Sequence, residues 1–197
     1  MIGLRESKKL AMRQKLASAA LRLAVERGLE NITTEDIAAE AVVAPRTFRN
    51  YFSSKHEAIC ALATDRARLI GASLLARPAT EPLWDALTSA VLQHYEGTDQ
   101  PLDPQHMAAV RLLTSSPAIR GEYLKVTFAM QNALAEAIAE RTGTDATRDM
   151  QPMILAGAVT AATRVALMRW SDADPPIALR PLLQLALQQL AAAFQPL

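Results

Sequence analysis

The sequence predicts an all-α protein. Apolar residues recur at helical spacing along most of the chain, and the breaks between apolar segments fall at Pro and Gly. No segment alternates β-branched and polar residues as a half-buried strand would. With 197 residues, 50% of them hydrophobic, the chain is long enough to bury a substantial core. We therefore expect an ordered protein of one large or two small domains.

The first predicted helix packs on two short helices and ends at Gly28, a typical C-terminal signal. The first short helix begins after Thr33, because Thr33 and Asp36 have the spacing of a capping box. Ile32 and Ile37 have the spacing of a hydrophobic staple across that cap. The longer helix packs through an apolar stripe that consists of Leu16, Ala19, Ala20, Leu23 and Ala24.

The second short helix opens at Pro45, since a residue without an N–H suits the first helical position. Phe48 and Phe52 lie four residues apart, share one face and should point into the core. At 100° per residue, Arg46 and Asn50 then project from the opposite face. Residues 32–52 thus have the pattern of a helix-turn-helix motif.

The outward face of this second helix has the chemistry of major-groove recognition, because Arg donates two bonds to guanine and Asn bonds adenine in a bidentate manner. An ordinary solvated helical face is the alternative. The candidate base-reading residues are Arg46, Thr47, Arg49 and Asn50. The candidate phosphate contacts, at helix N-termini or with short donors, are Thr33, Thr34, Tyr51 and Lys55.

Positive charge is concentrated near this motif. The net charge is only +1, but residues 1–60 hold ten basic and seven acidic residues, and the remainder holds eleven and thirteen. An N-terminal basic arm either follows a groove and neutralises phosphates or is a frayed, solvated terminus. Its residues are Arg5, Lys8, Lys9, Arg13 and Lys15.

Residues from about 10 to 60 resemble the DNA-binding region of the tetracycline-repressor (TetR) family, whose usual pattern is a capped helix, a Gly-Val-Ser turn and an aromatic-rich recognition helix ending in Phe-x-x-Lys. Val42 replaces the usual Gly, and a β-branched residue suits a positive φ poorly. Ala44 replaces the Ser cap, at a cost of about 1 kcal/mol, and Arg49 replaces a frequent aromatic residue. The matching positions are Thr33, Ile37, Ala38, Ala41, Phe48, Phe52 and Lys55. The resemblance implies a DNA-binding transcriptional regulator.

Beyond the motif the pattern stays helical, and the short loops favour an antiparallel bundle. A helix from Ser54, with Glu57 closing a second capping box, links the two parts. We expect residues 1–60 to form the DNA-binding domain and residues 61–197 an effector-binding and dimerisation domain. The predicted helices are 54–76, 81–96, 104–115, 117–142, 148–170 and 176–195.

The last two predicted helices are apolar on more than one stripe, which indicates two packing partners. In TetR-like proteins these helices pair across a twofold axis, so the resemblance implies a homodimer; the alternative is the inner core of a monomer. A dimer would present its two recognition helices roughly 34–36 Å apart to a palindromic site. Small residues that permit close packing are Ala156, Gly157, Ala158, Ala161 and Ala162.

TetR-like proteins usually bind a small effector between the middle helices, and pockets of this kind are mostly apolar with a few polar groups. Segments 111–123 and 135–145 resemble actinobacterial members thought to bind acyl-CoA-like ligands. Arg111, Arg120 or Arg164 would meet an anionic effector or form ion pairs. The candidate effector-binding residues, for which plain core packing is the alternative, are Trp84, Leu87, Val91, His94, Tyr95, Met107, Val110, Arg111, Tyr123, Phe128 and Met153, with Met130 and Met150 nearby.

Catalytic and metal signatures are absent from the sequence. It contains no GxGxxG, P-loop, GxSxG or HExxH motif, and His56-Glu57 lacks a second His at metal spacing. His94 and His106 fall on different predicted helices, so we expect no zinc site and no cofactor. The competing classes are a small all-α enzyme without a recognisable motif and a helical protein-interaction module.

The cellular compartment can also be predicted from composition. Cys60 is the only cysteine, which excludes an intrachain disulfide and is typical of a reducing compartment. The sequence has no secretory h-region and no uninterrupted apolar run of 18 residues. We therefore expect a cytoplasmic protein.

Overall fold

The computed structural model describes residues 4–100 and 103–194, and all regular structure within them is helical. The predicted all-α class is confirmed, and the predicted long helices are correct to within about three residues at each end. A short 3-10 turn, Leu29–Asn31, separates the first two helices. The helices are α1 (Leu4–Arg27), α2 (Thr34–Glu40), α3 (Pro45–Arg49), α4 (Lys55–Leu75), α5 (Leu83–Gln93), α6 (Pro104–Ser115), α7 (Arg120–Thr142), α8 (Met150–Ser171) and α9 (Leu179–Ala193).

The helices form two packed groups joined by α4. Helices α1, α2 and α3 enclose a small core that includes Leu16, Ile37 and Phe48, each at most 1% exposed. Helix α4 packs on α1 and also on α5 and α7, and α8 packs on α6, α7 and α9. Helix α4 thus belongs to both groups, and α1 also packs on α6.

Helices α4 and α7 cross closely at Gly71. A Cβ atom added there would lie 2.8 Å from the carbonyl oxygen of Ala133 on α7, closer than real Cβ contacts come. Gly71 is therefore required by the α4–α7 packing rather than by a turn.

Helix α8 is apolar enough, by length and composition alone, to cross a membrane, with a mean hydropathy of 1.2 over its most apolar window. In the fold, Leu155, Ala156 and Val159 are buried against neighbouring helices. Core helices of folded proteins meet the same criterion, so we attribute the apolar character of α8 to packing. Ile154 and Val165, however, are 53% and 45% exposed.

Candidate functional site

The start of α2 is fixed as the sequence predicts. The Asp36 amide donates to Thr33 Oγ1 over 3.1 Å, and the Thr33 amide donates to Asp36 Oδ2 over 2.8 Å, so the capping box is confirmed. The Thr33 hydroxyl also donates to Asp36, and these bonds lower the pKa of the Asp36 carboxyl. The Thr34 hydroxyl donates to Glu35 in the same way. Both hydroxyl protons predicted to reach phosphate are therefore donated to nearby carboxylates.

Val42 lies in the turn between α2 and α3 and has a φ of 55°, in the left-handed region that favours glycine. Its side chain is 82% exposed, so packing contributes little to holding it there. The Val42 and Val43 amides donate to the carbonyls of Ala39 and Ala38, both over 2.9 Å. These bonds close the end of α2 and force the chain into a positive φ at a β-branched residue.

Helix α3 is anchored by its two phenylalanines. Phe48 and Phe52 are 1% and 2% exposed, and their ring centres lie 5.7 Å apart. Arg46 and Asn50 are exposed on the opposite side, so the predicted orientation of the helix is confirmed. Ala44 caps α3 without a side-chain hydrogen bond, as expected for a position without Ser. The geometry presents a guanidinium and a carboxamide to solvent on a firmly held helix.

The other residues near α3 that are predicted to contact DNA differ in their exposure and in the contacts they already make. The Arg49 guanidinium lies 3.6 Å from the Glu35 carboxylate, and both side chains are more than half exposed, so the pair is weak. Thr47 is half-buried. Tyr51 is half-buried and packs against the hydrophobic core, so only part of its side chain is accessible to a ligand such as DNA.

Lys55 has an internal role that the sequence did not reveal. Its ammonium donates to the carbonyl oxygens of Leu29 and Ile32 over 2.9 and 3.0 Å. These two carbonyls account for a cation in the first turn of α4 without an external anion, and the predicted contact of Lys55 with phosphate stays a prediction. Lys55 thereby joins the start of α4 to the connection between α1 and α2.

The cap of α4 also differs in detail from the prediction. Ser54 Oγ accepts the Glu57 amide over 3.1 Å as expected. The Glu57 carboxylate, however, accepts the amide and the hydroxyl of Ser53, over 2.8 and 2.7 Å, instead of the Ser54 amide. In the predicted capping box, the bond to the Glu57 carboxylate thus comes from the residue before the expected donor.

The predicted basic arm is neither extended nor frayed, because residues 5–15 belong to α1. The guanidinium of Arg13 pairs with Asp65 of α4 and lies 5.1 Å from the centre of the Phe52 ring, so it ties α1 to the core. Lys9 and Arg13 border a groove whose far side is formed by Asn50 and Tyr51. The basic first turns of α1 therefore lie beside the end of α3.

A cavity lies between α4, α6, α7 and α8, with about 630 Å³ of free space, part of it open to solvent. It brings together three of the predicted effector residues, Tyr95, Val110 and Tyr123. Met130, named beside them, and Arg164, considered for an anionic effector, also line it. Its wall is mostly apolar with a few polar groups, which is the character of ligand pockets in general.

The other predicted effector residues do not line this cavity. Leu87, Val91 and Met107 pack in the hydrophobic core, and Phe128 is 62% exposed on the surface. Arg111 pairs with Asp172 over 3.2 Å, which is the ion-pair alternative. The remaining residues pair with neighbours outside the cavity: Trp84 with the Phe194 ring, His94 with the Ser73 hydroxyl, and Met153 with the Gln131 amide. Met150 is 78% exposed.

Sequence reasoning missed most of the polar residues in the wall of the cavity. Arg66 lies on α4 at the level of Ala63 and Ala67, and nothing in its sequence surroundings separates it from a surface arginine. The threonines were missed because buried threonines are also common in helical cores; they are Thr114, Thr127, Thr160 and Thr163. A space between helices depends on side chains from four elements, so no local pattern reveals it.

Burial governs the ionisation of the groups in and near the cavity. It raises the pKa of Tyr95, and it raises the pKa of Tyr123 to about 12, so both phenols keep their protons at neutral pH. Burial also lowers the pKa of His94, whose Nε2 lies 2.8 Å from the Ser73 hydroxyl. Among residues 4–100 and 103–194, no group of three or more His, Cys, Asp or Glu side chains is arranged to hold a metal ion.

A capped helix, a tight turn and a short helix with an exposed polar face, followed by a helical bundle with an internal cavity, define the class of helix-turn-helix DNA-binding regulators. Residues 16–59 match the family described as bacterial regulatory proteins, tetR family, and residues 81–195 match the MftR C-terminal domain. The chain is 35% identical over 178 residues to the HTH-type transcriptional regulator TcmR of Streptomyces glaucescens, covering 85% of this chain and 76% of TcmR. The chain belongs to the TetR family of transcriptional regulators.

Solved structures agree with this fold. A TetR-family transcriptional regulator from Syntrophomonas wolfei superposes with a TM-score of 0.68 at 18% identity, covering 94% of this chain and 95% of that one. The Thermus thermophilus repressor FadR, solved in complex with lauroyl-CoA, gives a TM-score of 0.52 at 19% identity, covering 94% and 96%. At these identities the likeness concerns the fold alone.

Proposed function

We propose that the protein is a cytoplasmic repressor that binds a palindromic operator as a homodimer and leaves it when a small amphipathic effector enters the cavity. Residues 1–60 form the DNA-binding domain in this proposal, and residues 61–197 bind the effector and the second subunit. The observation that carries it is the orientation of α3, whose buried Phe48 and Phe52 leave Arg46 and Asn50 exposed.

Recognition of DNA would be centred on Arg46 and Asn50. Each bidentate contact to a base edge contributes about 1–3 kcal/mol of discrimination. Arg49 would exchange its weak pair with Glu35 for a base or phosphate. Lys9, exposed on α1 beside Asn50 and Tyr51, is placed to reach the phosphates flanking the same site.

The homodimer is supported by an apolar stripe on α8. Ile154, Ala158, Ala161 and Val165 recur at helical spacing, and Ile154 and Val165 are both about half exposed. Leu185 on the neighbouring α9 is 51% exposed. A second copy packed on this stripe would remove these side chains from water and set the spacing of the two α3 helices.

The coupling between effector and DNA would pass through α4. This helix contributes Ala63, Ala67 and Ile70 to the cavity. At its N-terminal end, Lys55 binds carbonyls beside α2, and at its middle Asp65 pairs with Arg13 of α1. An effector that prefers a displaced α4 would move the DNA-binding domain, and a hundredfold loss of DNA affinity requires a coupling free energy of roughly 2.7 kcal/mol.

The test is DNA binding by a double variant, R46A with N50A, measured by fluorescence anisotropy on a duplex selected with the wild-type protein. Both side chains are exposed, so the variant should fold normally and lose about a hundredfold or more of its specific affinity. The matched control is R120A with N132A, which removes the same exposed residue types from α7. Unchanged affinity in the first variant would overturn the proposal and favour an interaction module.

A further inference from the structure

The cavity carries positive charge without an acid in its wall. Of the described residues that line it, only Arg66 and Arg164 are charged. None of the ion pairs found in the described parts of the chain includes either residue, and Asp65, next to Arg66, is already paired with Arg13. Two arginines therefore line one mostly apolar space, and neither is in an ion pair within the described residues.

Both arginines lie at the mouth of the cavity rather than on its floor. Arg66 and Arg164 are exposed, whereas Ala67, Ile70 and Thr163, which line the same space, are at most 3% exposed. The cavity thus has an apolar interior and a cationic entrance. This arrangement matches a molecule with an apolar body and a polar, negatively charged end.

The present neighbours of the two arginines do not neutralise them. The Arg66 guanidinium carbon lies 4.9 Å from the centre of the Tyr95 ring, a cation–π contact. The Arg164 guanidinium donates to the thioether sulfur of Met168 over 3.1 Å, and sulfur is a weak acceptor. Either contact leaves several N–H donors of the guanidinium available to a ligand.

The threonines of the wall already have partners for their protons. Each hydroxyl donates to the carbonyl oxygen four residues earlier in its own helix, over 2.8 to 3.0 Å, for Thr114, Thr127, Thr160 and Thr163. These hydroxyls therefore have no proton left for a ligand and can only accept from one. The phenols of Tyr95 and Tyr123 can donate or accept, whereas the two guanidiniums only donate, so Arg66 and Arg164 are the groups that require acceptors from a ligand.

We propose that the effector is an acidic amphiphile whose apolar body lies between α4, α6, α7 and α8 and whose anionic group is held at the entrance by Arg66 and Arg164. This inference rests on the proposed function, since it takes the cavity as the effector site. A planar guanidinium binds carboxylates and other oxyanions in a bidentate manner, which fixes the orientation of the ligand as well as its charge. Neutral or cationic analogues of the same body bind more weakly.

Two sources supply this chemistry. One is a free organic acid, whose own carboxylate meets the arginines. The other is a thioester of coenzyme A, whose acyl chain enters the cavity while its phosphates remain at the entrance. Both place an anion against Arg66 and Arg164. The anion is the carboxylate of the organic acid itself in the first case and a phosphate of coenzyme A in the second.

The charge requirement can be measured with two fluorescent probes that share one body, 8-anilino-1-naphthalenesulfonate and N-phenyl-1-naphthylamine, of which only the first carries a sulfonate. We expect the double variant R66M with R164M to lose about tenfold in affinity for the sulfonate and to keep its affinity for the neutral amine. The matched control, R68M with R169M, removes exposed arginines of α4 and α8 outside the cavity and should leave both affinities unchanged. Equal losses for both probes, or no loss for either, would overturn the proposal.

Competition against the sulfonate probe separates the two sources. If both dodecanoate and lauroyl-CoA displace the probe, a free carboxylate is sufficient as the anionic group. If only lauroyl-CoA displaces it, the phosphates of coenzyme A supply the anionic group. Displacement by 1-dodecanol as effective as that by dodecanoate would contradict the need for an anion.

The proposed function is tested apart from this inference by DNA binding. If the charge-dependent binding of the probe is found but the protein binds no DNA duplex, the regulator proposal fails and the ligand inference stands. If duplex binding is released only by neutral molecules, the ligand inference fails and the regulator proposal stands.

Discussion

Val42, like Ala44, departs from the usual pattern of its family at an energetic cost. An L-residue at positive φ is destabilised by about 1–2 kcal/mol, and a β-branched side chain is poorly suited to this region. Because Val42 is 82% exposed, its side chain returns little packing energy. We expect V42G to raise the free energy of unfolding by about 0.5–1 kcal/mol, after allowing for the greater backbone entropy of unfolded glycine.

The measurement is denaturant unfolding of V42G and V42A beside the wild-type protein. Alanine retains the Cβ atom, so V42A should gain less free energy of unfolding than V42G. A V42G protein that is less stable than the wild type would show that the turn is not strained at this residue.

Cys60 is buried, and this burial raises the pKa of its thiol to about 12. A thiol whose pKa lies near 12 rather than 9.0 holds about a thousandfold less thiolate at pH 8. We expect the native protein to react with a disulfide reagent at least a hundredfold more slowly than the unfolded protein. Because the folded pKa is the higher one, the contribution of the neutral thiol to stability is full below pH 9 and is lost between pH 9 and 12. Rapid labelling in native buffer would contradict this account.

At the scale of elements, the packing of α4 on α7 depends on the absence of a side chain at Gly71. G71A would place a methyl group 2.8 Å from the Ala133 carbonyl, and overpacking of this kind costs about 1–3 kcal/mol. The control is G121A in the first turn of α7, where an added Cβ has no neighbour within 4 Å. Denaturant unfolding should therefore show a lower free energy of unfolding for G71A only. Equal stability of the two variants would show that the helices separate freely.

Helix starts could be predicted from sequence where a local hydrogen-bond pattern defines them, as at Thr33 and Pro45. The burial of Phe48 and Phe52 followed from spacing alone. The role of Lys55 could not be predicted, because its partners lie more than twenty residues earlier in the chain. The role of Arg13, left open between a DNA-binding arm and a frayed terminus, could not be predicted for the same reason: its partners on α4 and at Phe52 become neighbours only in the folded protein.

At the scale of the whole molecule, the cavity shows the limit of sequence reasoning. Large residues of the middle helices were expected to line it, yet Leu87 and Val91 pack in the core and Phe128 is exposed. Periodicity distinguishes an inner helical face from an outer one, but it does not distinguish a filled core from a space. The groups that define the cavity chemically, Arg66 and Arg164, lie on two different helices and meet only through tertiary packing.

The proposed dimer can be tested through the exposed stripe of α8. V165E would place a charge in the proposed interface, and desolvating an unpaired carboxylate is strongly unfavourable, so we expect the dimer to dissociate at least tenfold more readily. The control is L69E, at an exposed leucine on α4, which should leave association unchanged. Light scattering of the wild-type protein should give twice the 21.4 kDa chain mass. A wild-type protein at the single-chain mass would refute the dimer.

The central claim is that two copies of α3 read DNA about a twofold axis. Selection of the wild-type protein on a pool of random duplexes tests it most directly. The account predicts enrichment of an inverted repeat, with half-sites that lose their enrichment when the selection is repeated with R46A and N50A combined. Recovery of no enriched sequence, or of the same repeat with the double variant, would contradict it.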